Sequence, residues 1–236
     1  MVDALRVVKF SLRDFWDEFV MLALLNVLWS LTVMLPVVPL FVFKSLNLIG
    51  VLAISLPLAL PLPIVSGALC FVTNQVARGK TINWGTFAVG LNRYWAKSLA
   101  VGLMNLIVLV LIAVNVQFYG FILKGTWTNF ALSAWLVVGI YWLLVQVFWF
   151  PMILELEGEK VLLALRNALV LVIITPGFSL TLAVLIVVIG AVCIALSVPA
   201  VLIMASLLLL ISNHATRSRL AHIQKKPYRP GLDLEH

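Results

Sequence analysis

Six uncharged polar side chains stand inside long apolar runs: Asn26, Ser30, Asn105, Asn115, Gln117 and Gln146. An amide in hydrocarbon has to find a hydrogen-bond partner, because an unsatisfied polar group there is costly. Two uses follow from that. Either these groups bond helix to helix, at about 0.6–2 kcal/mol each, or they line a pocket or path for a small uncharged solute. Asn26, Trp29 and Ser30 share one helical face and form the natural seed of such a pocket, with Asn105, Asn115 and Gln146 as its further lining.

Groups suited to acid–base or nucleophilic work are few. His214 and His222 fall in a basic stretch, and His236 ends the chain. The sequence has no His-Glu-x-x-His, no phosphate loop and no Gly-x-Ser-x-Gly. No serine has a His or Lys partner expected in the same membrane plane. Glu155, Glu157 and Glu159 are spaced by two on a wet segment, which describes a solvated edge better than a cation site. Cys70 and Cys193 lie in apolar stretches without metal-ligand spacing and are expected as buried thiols. No catalytic residue, metal or cofactor is therefore expected, and the chain reads as non-enzymatic. Charges are also absent from the middle of every apolar run. A charge at a helix centre costs about 2.5–3.5 kcal/mol, and ion-coupled transporters commonly keep one. Proton-coupled transport is disfavoured accordingly.

The elements that must carry these residues are set by composition. Of 236 residues, 64% are hydrophobic and 11% charged, and mean hydropathy is +1.16. A soluble domain of about 45–50% apolar residues could not hide that surface. An all-α, polytopic membrane protein is expected, and soluble enzymes, disordered chains and disulfide scaffolds are excluded.

Residues 1–18 place Leu5, Val8, Leu12, Phe15, Trp16 and Phe19 on one helical stripe, with Asp3, Arg6, Lys9, Arg13, Asp14 and Asp17 opposite. That pattern suits a helix lying in the membrane interface, or else the first turns of a span. A first span runs from about Phe19 to Phe43, interrupted at Leu35-Pro36-Val37-Val38-Pro39, and Lys44 ends it. The second, about Leu46 to Val76, carries Pro57, Pro61 and Pro63 and is expected to kink. Asn83 is a suitable cap for a second interfacial helix over 82–97, with Trp84, Phe87, Leu91, Tyr94 and Trp95 on one face. Further spans follow over about Ser98–Gly120 and Phe130–Phe150. Phe178–Ile211 holds 34 residues without a charge, about 51 Å of helix against a core of about 30 Å. Two short spans turning near Ser197-Val198-Pro199 are preferred; a turn nearer Gly190 is the alternative.

With six spans, fourteen of the sixteen basic residues fall on one side and only Lys44 and Lys124 on the other. The positive-inside rule then puts both termini in the cytoplasm. The net charge of +7 is explained by this topology and not by nucleic acid. The expected organisation is one transmembrane domain over 1–233, ending in a basic cytoplasmic tail over 214–233, with 234–236 the start of a purification tag. The bilayer is the expected partner, including anionic lipids near Arg217–Arg229 at about 1 kcal/mol per basic residue.

Asn26-Val27-Leu28-Trp29, Leu35-Pro36, Ser66-Gly67-Ala68-Leu69, Arg78-Gly79, Phe87, Asn92-Arg93-Tyr94 and Ser98 together resemble the YesL-like family of bacterial membrane proteins of unknown function. The similarity covers roughly residues 15–100. It implies a small multi-span protein of the bacterial inner (plasma) membrane, often encoded beside carbohydrate-uptake systems, with no established catalytic residues. The expected function is therefore an accessory or regulatory partner of a solute-uptake complex. The alternative is a channel or facilitator for a small uncharged solute, lined by Asn26, Ser30, Asn105, Asn115 and Gln146. An intramembrane lipid enzyme ranks third, for want of a nucleophile–base pair.

Overall fold

The computed structural model describes residues 2–43, 47–123, 125–156, 158, 160–225 and 228. Lys44, Lys124, Glu157, Glu159, Lys226, Arg229 and the 234–236 end lie outside the described residues. The described elements are helical: α1 (Val2–Asp17), α2 (Phe19–Met34), α3 (Val38–Val42), α4 (Leu48–Ala59), α5 (Pro61–Ala77), α6 (Trp84–Gln117), a π-helical turn (Phe118–Ile122), α7 (Thr126–Glu155), α8 (Val161–Ile174), α9 (Pro176–Ala195), α10 (Val198–Leu202) and α11 (Met204–Ile223).

Among the described residues, Ile49–Ala77, Trp84–Ile122, Trp127–Glu155 and Pro176–Ala195 are each long and apolar enough to cross a bilayer. A fifth is added if α1 and α2, bent by 97° at Glu18, count together. The chain is thus membrane-embedded and helical. With 14 residues, α8 reaches only about 21 Å.

The bend at Glu18 turns α1 across the end of the bundle, and the expected single stripe on α1 divides in two. Ala4, Val7, Ser11 and Phe15 are buried on the bundle side, whereas Leu5, Leu12 and Trp16 stay exposed. The cause is α11, which packs beneath α1 and takes the 4–7–11–15 face. Ser11 fits there because its hydroxyl donates to the Val7 carbonyl at 2.9 Å.

Local chemistry sets the ends of α5 and α6. After Arg78, Gly79 adopts φ 72°; its N–H meets the Val76 carbonyl at 2.8 Å, and the Lys80 N–H meets that of Gln75 at 3.0 Å. Only glycine takes that left-handed position without strain, so the last carbonyls of α5 are satisfied there. Asn83 then caps α6: its side chain accepts from the Thr86 N–H at 2.9 Å, and Thr86 Oγ1 accepts from the Asn83 N–H at 3.3 Å. The cap falls where the sequence suggests, but the separate interfacial helix over 82–97 does not form. No Pro or cap interrupts Ala96-Lys97-Ser98-Leu99, so α6 continues unbroken to Gln117. It is held along α5 by close approach at glycine. A Cβ on Gly67 would stand 1.8 Å from Ser98 Oγ, and one on Gly90 would stand 3.2 Å from the Ala68 carbonyl oxygen.

The last apolar run divides at the preferred place. Ala195 ends α9, Ser197 sits at φ 55°, and α10 and α11 follow after the turn. The expected tail over 214–233 is corrected in part. Residues 214–223 are the last turns of α11, with His214 and Arg217 at 0% and 1% exposure. Residues 214–219 are buried there, where carboxylates from α1 and α7 meet His214 and Arg217.

Candidate functional site

Where α5, α7 and α11 end together, charged and amide side chains form one buried network. Glu155, the last residue of α7, is its centre. A carboxylate at a helix C-terminus opposes the helix dipole, so it needs compensation, and three side chains from α5, its C-cap and α11 supply it. Arg78 Nη2 lies 3.1 Å from Glu155 Oε2, and the two side chains are 23% and 7% exposed. Asn74 Nδ2 donates to Oε1 at 2.8 Å, and Arg217 Nε stands 3.7 Å from the same oxygen. The Arg217 guanidinium also donates to the Ala77 carbonyl at 2.6 Å, using a carbonyl of the last turn of α5.

The network continues inward through amides. Arg78 Nε donates to Asn74 Oδ1 at 2.9 Å, and Asn74 Nδ2 reaches Asn213 Oδ1 at 3.1 Å. Asn213 Nδ2 in turn donates to Thr73 Oγ1 at 3.0 Å and to the Leu209 carbonyl at 3.0 Å. Beside this network, His214 Nε2 lies 3.0 Å from Asp14 Oδ2 on α1, and His214 Nδ1 meets the Tyr228 hydroxyl. Burial pushes the Tyr228 phenol well above its ordinary 10.0; nearby Arg217 opposes that shift, and Asp14 and Glu155 add to it. Chemically this is a lock: its charges are paired, its amides connect α5, α7 and α11, and the His214–Asp14 pair adds α1. Among the described residues, no three His, Cys, Asp or Glu side chains gather as a metal-ligand set.

Sequence reasoning missed this cluster. Arg217 and His214 were assigned to a tail and Glu155 to a solvated edge, because each reads as polar beside an apolar run. One signal was available. Asn213 and Arg217 on α11 are spaced i, i+4 and continue the buried Leu210 face outward, and Asn74 and Arg78 at the end of α5 repeat that spacing.

Of the five residues proposed as pocket lining, Asn26 and Ser30 meet at one carbonyl, and the other three bond elsewhere or find no partner. Asn26 is fully buried on α2 and repairs the α10–α11 break. Its Nδ2 donates to the Val201 carbonyl at 2.7 Å, and its Oδ1 accepts from the Ser206 N–H at 2.8 Å. Ser30 points to the same Val201 carbonyl at 3.4 Å. Asn105 on α6 accepts from Trp142 Nε1 at 2.9 Å. Asn115 donates to the Leu111 carbonyl of its own helix at 2.8 Å. Gln146 lies on α7, its Nε2 buried without a hydrogen-bond partner. Asn105 borders a groove of about 560 Å³ between α4–α5 and α6, whose other lining includes Ser66, Cys70, Ser98 and many apolar side chains. Trp29, the third member of the α2 face, donates to Ser66 Oγ at 2.9 Å.

Comparison with known proteins finds no family model that matches the chain, no similar curated protein and no similar solved structure.

Proposed function

We propose that this chain is a non-catalytic, multi-pass component of a bacterial inner membrane that serves as an accessory or regulatory partner of a solute-uptake system. In this reading the chain crosses six times, through α2–α3, α4–α5, α6, α7, α9 and α10–α11, with both termini and α1 on the cytoplasmic side. The assignment of sides rests on the distribution of basic residues, and the link to carbohydrate uptake rests on the resemblance to the YesL-like family.

The observation that carries the choice of accessory over pore is the use of the membrane-depth amides. Asn26 is spent on the α10–α11 backbone and Asn105 on Trp142, which is the behaviour of groups that fix helix packing. A pore lined by Asn26, Ser30, Asn105, Asn115 and Gln146 is not proposed, since Asn26 and Ser30 share the Val201 carbonyl while Asn105 and Asn115 bond elsewhere.

Mild extraction of the untagged protein from its native membrane tests the proposal. Stoichiometric recovery of a permease or its ATPase is expected. Recovery of the chain alone, together with solute flux in reconstituted vesicles, would overturn it.

A further inference from the structure

Above the lock, α1 and α11 part to leave a cleft of about 470 Å³ at the charged end of the bundle. Arg6 and Lys9 of α1 form one wall; Ser218, Arg219 and His222 of α11 form the other, and Tyr228 closes the side. Three permanent cations thus face one cavity against a single carboxylate, Asp3, which lies 3.3 Å from Arg219 Nη2.

Arg219 makes this a built site and more than a basic patch. The residue is 7% exposed, its guanidinium carbon sits 3.9 Å from the centroid of the Phe178 ring, and its Nε is buried with no hydrogen-bond partner. A desolvated guanidinium N–H left without an acceptor is costly, and a phosphate oxygen is the acceptor that its planar fork fits best.

What carries the phosphate follows from the neighbouring surface. A second cleft, about 460 Å³, lies between α1 and α9 and is lined by Leu5, Leu180, Thr181, Val184 and Leu185. Leu5 adjoins Arg6 in the chain, and Phe178, which supports the Arg219 guanidinium, stands two residues before Leu180. Both clefts thus have α1 as a wall, and the helix that bears Phe178 is the other wall of the apolar one. Leu5, Leu180 and Val184 are 49%, 50% and 62% exposed, a surface suited to a hydrocarbon chain and unsuited to water.

We propose that the α1–α11 cleft binds the phosphate of an anionic phospholipid, with one acyl chain lying in the α1–α9 cleft. The site rests on the interfacial placement of α1 proposed above. It gives that helix a means of sensing or requiring the charge of the surrounding leaflet.

The test uses the full chain, delipidated and returned to nanodiscs containing phosphatidylglycerol and phosphatidylcholine with identical acyl chains, with retained lipid read by native mass spectrometry. Preferential retention of phosphatidylglycerol is expected. Because Arg6 and Lys9 are exposed, Arg6→Gln and Lys9→Gln leave the fold intact, and each should lower that preference about fivefold. Arg219→Gln should abolish it. Equal retention of the two lipids, or a preference untouched by Arg6→Gln and Lys9→Gln, would overturn the site. Displacement of the lipid by millimolar glycerol phosphate would overturn the lipid as occupant and assign the cleft to a soluble phosphate ester. A bilayer-depth probe on Leu12→Cys reports the placement of α1 separately. A probe found in water overturns the interfacial reading, whereas a probe at headgroup depth with no lipid preference overturns the site alone.

Discussion

Glu155 illustrates how much a single side chain can hold. It is the carboxylate that both Arg78 and Arg217 face, and Arg217 is 1% exposed. Removing one partner of a buried ion pair leaves the other charge desolvated and unpaired, at a cost of about 3–5 kcal/mol. Glu155→Ala should therefore lose about that much stability in denaturant unfolding of the micellar protein. Arg78→Ala should lose less, because the Arg78 side chain is 23% exposed and Arg217 remains beside the carboxylate. Equal losses for the two would show that Arg217 contributes nothing. Tyr228 gives the pH counterpart. Its folded-state pKa is raised above the ordinary 10.0, so its docking contributes fully below that value and is lost as pH rises through the folded pKa. The difference in tyrosinate absorbance between wild type and Tyr228→Phe should begin only above the ordinary range; ionisation near 10 would mean that the phenol is not buried there.

At the scale of elements, the sequence revealed breaks better than it revealed partners. Leu35–Pro36, Gly79, Asn83 and Ser197 mark ends through proline, glycine or capping chemistry that acts within a few residues, and the helices stop or start at those places. The continuity of α6 through Lys97–Ser98 was not legible, because aromatic patterning suggested an interface where backbone chemistry offered no break. Asn26 stands out in the sequence as an amide inside an apolar run, yet its partners, Val201 and Ser206, lie more than 170 positions away. Nothing local announces that a broken helix needs an amide there. Two substitutions probe these contacts. Asn26→Leu fills similar space but strands the Ser206 N–H, and should cost about 1–3 kcal/mol, seen as a lower unfolding midpoint; an unchanged midpoint would deny Asn26 its repair role. Gly67→Ala places a Cβ 1.8 Å from Ser98 Oγ and 2.8 Å from Ser98 Cβ, an overpacking worth about 1–3 kcal/mol. Ser98→Gly on the same chain removes both atoms and should restore part of that loss, with the Phe150 ring, 2.8 Å from the new Cβ, still to give way.

For the whole molecule, the arrangement of charge is the main clue to orientation. The lock joins the ends of α5, α7 and α11 to α1, so these four elements meet at one membrane face whatever that face is. The loop that precedes α7 lies at its other end, 30 residues of helix away, about 45 Å. Asn129 near that loop and Lys80 after α5 must therefore open to opposite compartments if α7 crosses the bilayer. On the topology proposed above, Lys80 faces the cytoplasm. Both native cysteines are buried, so cysteines introduced at these exposed positions can be followed individually. Asn129→Cys should react with an impermeant maleimide on intact cells, whereas Lys80→Cys should react only after the membrane is opened. The reverse pattern would invert the topology and remove the lipid cleft from the cytoplasmic leaflet while leaving the lock untouched. Labelling of both on intact cells would be incompatible with α7 as a span and would undo the six-crossing arrangement.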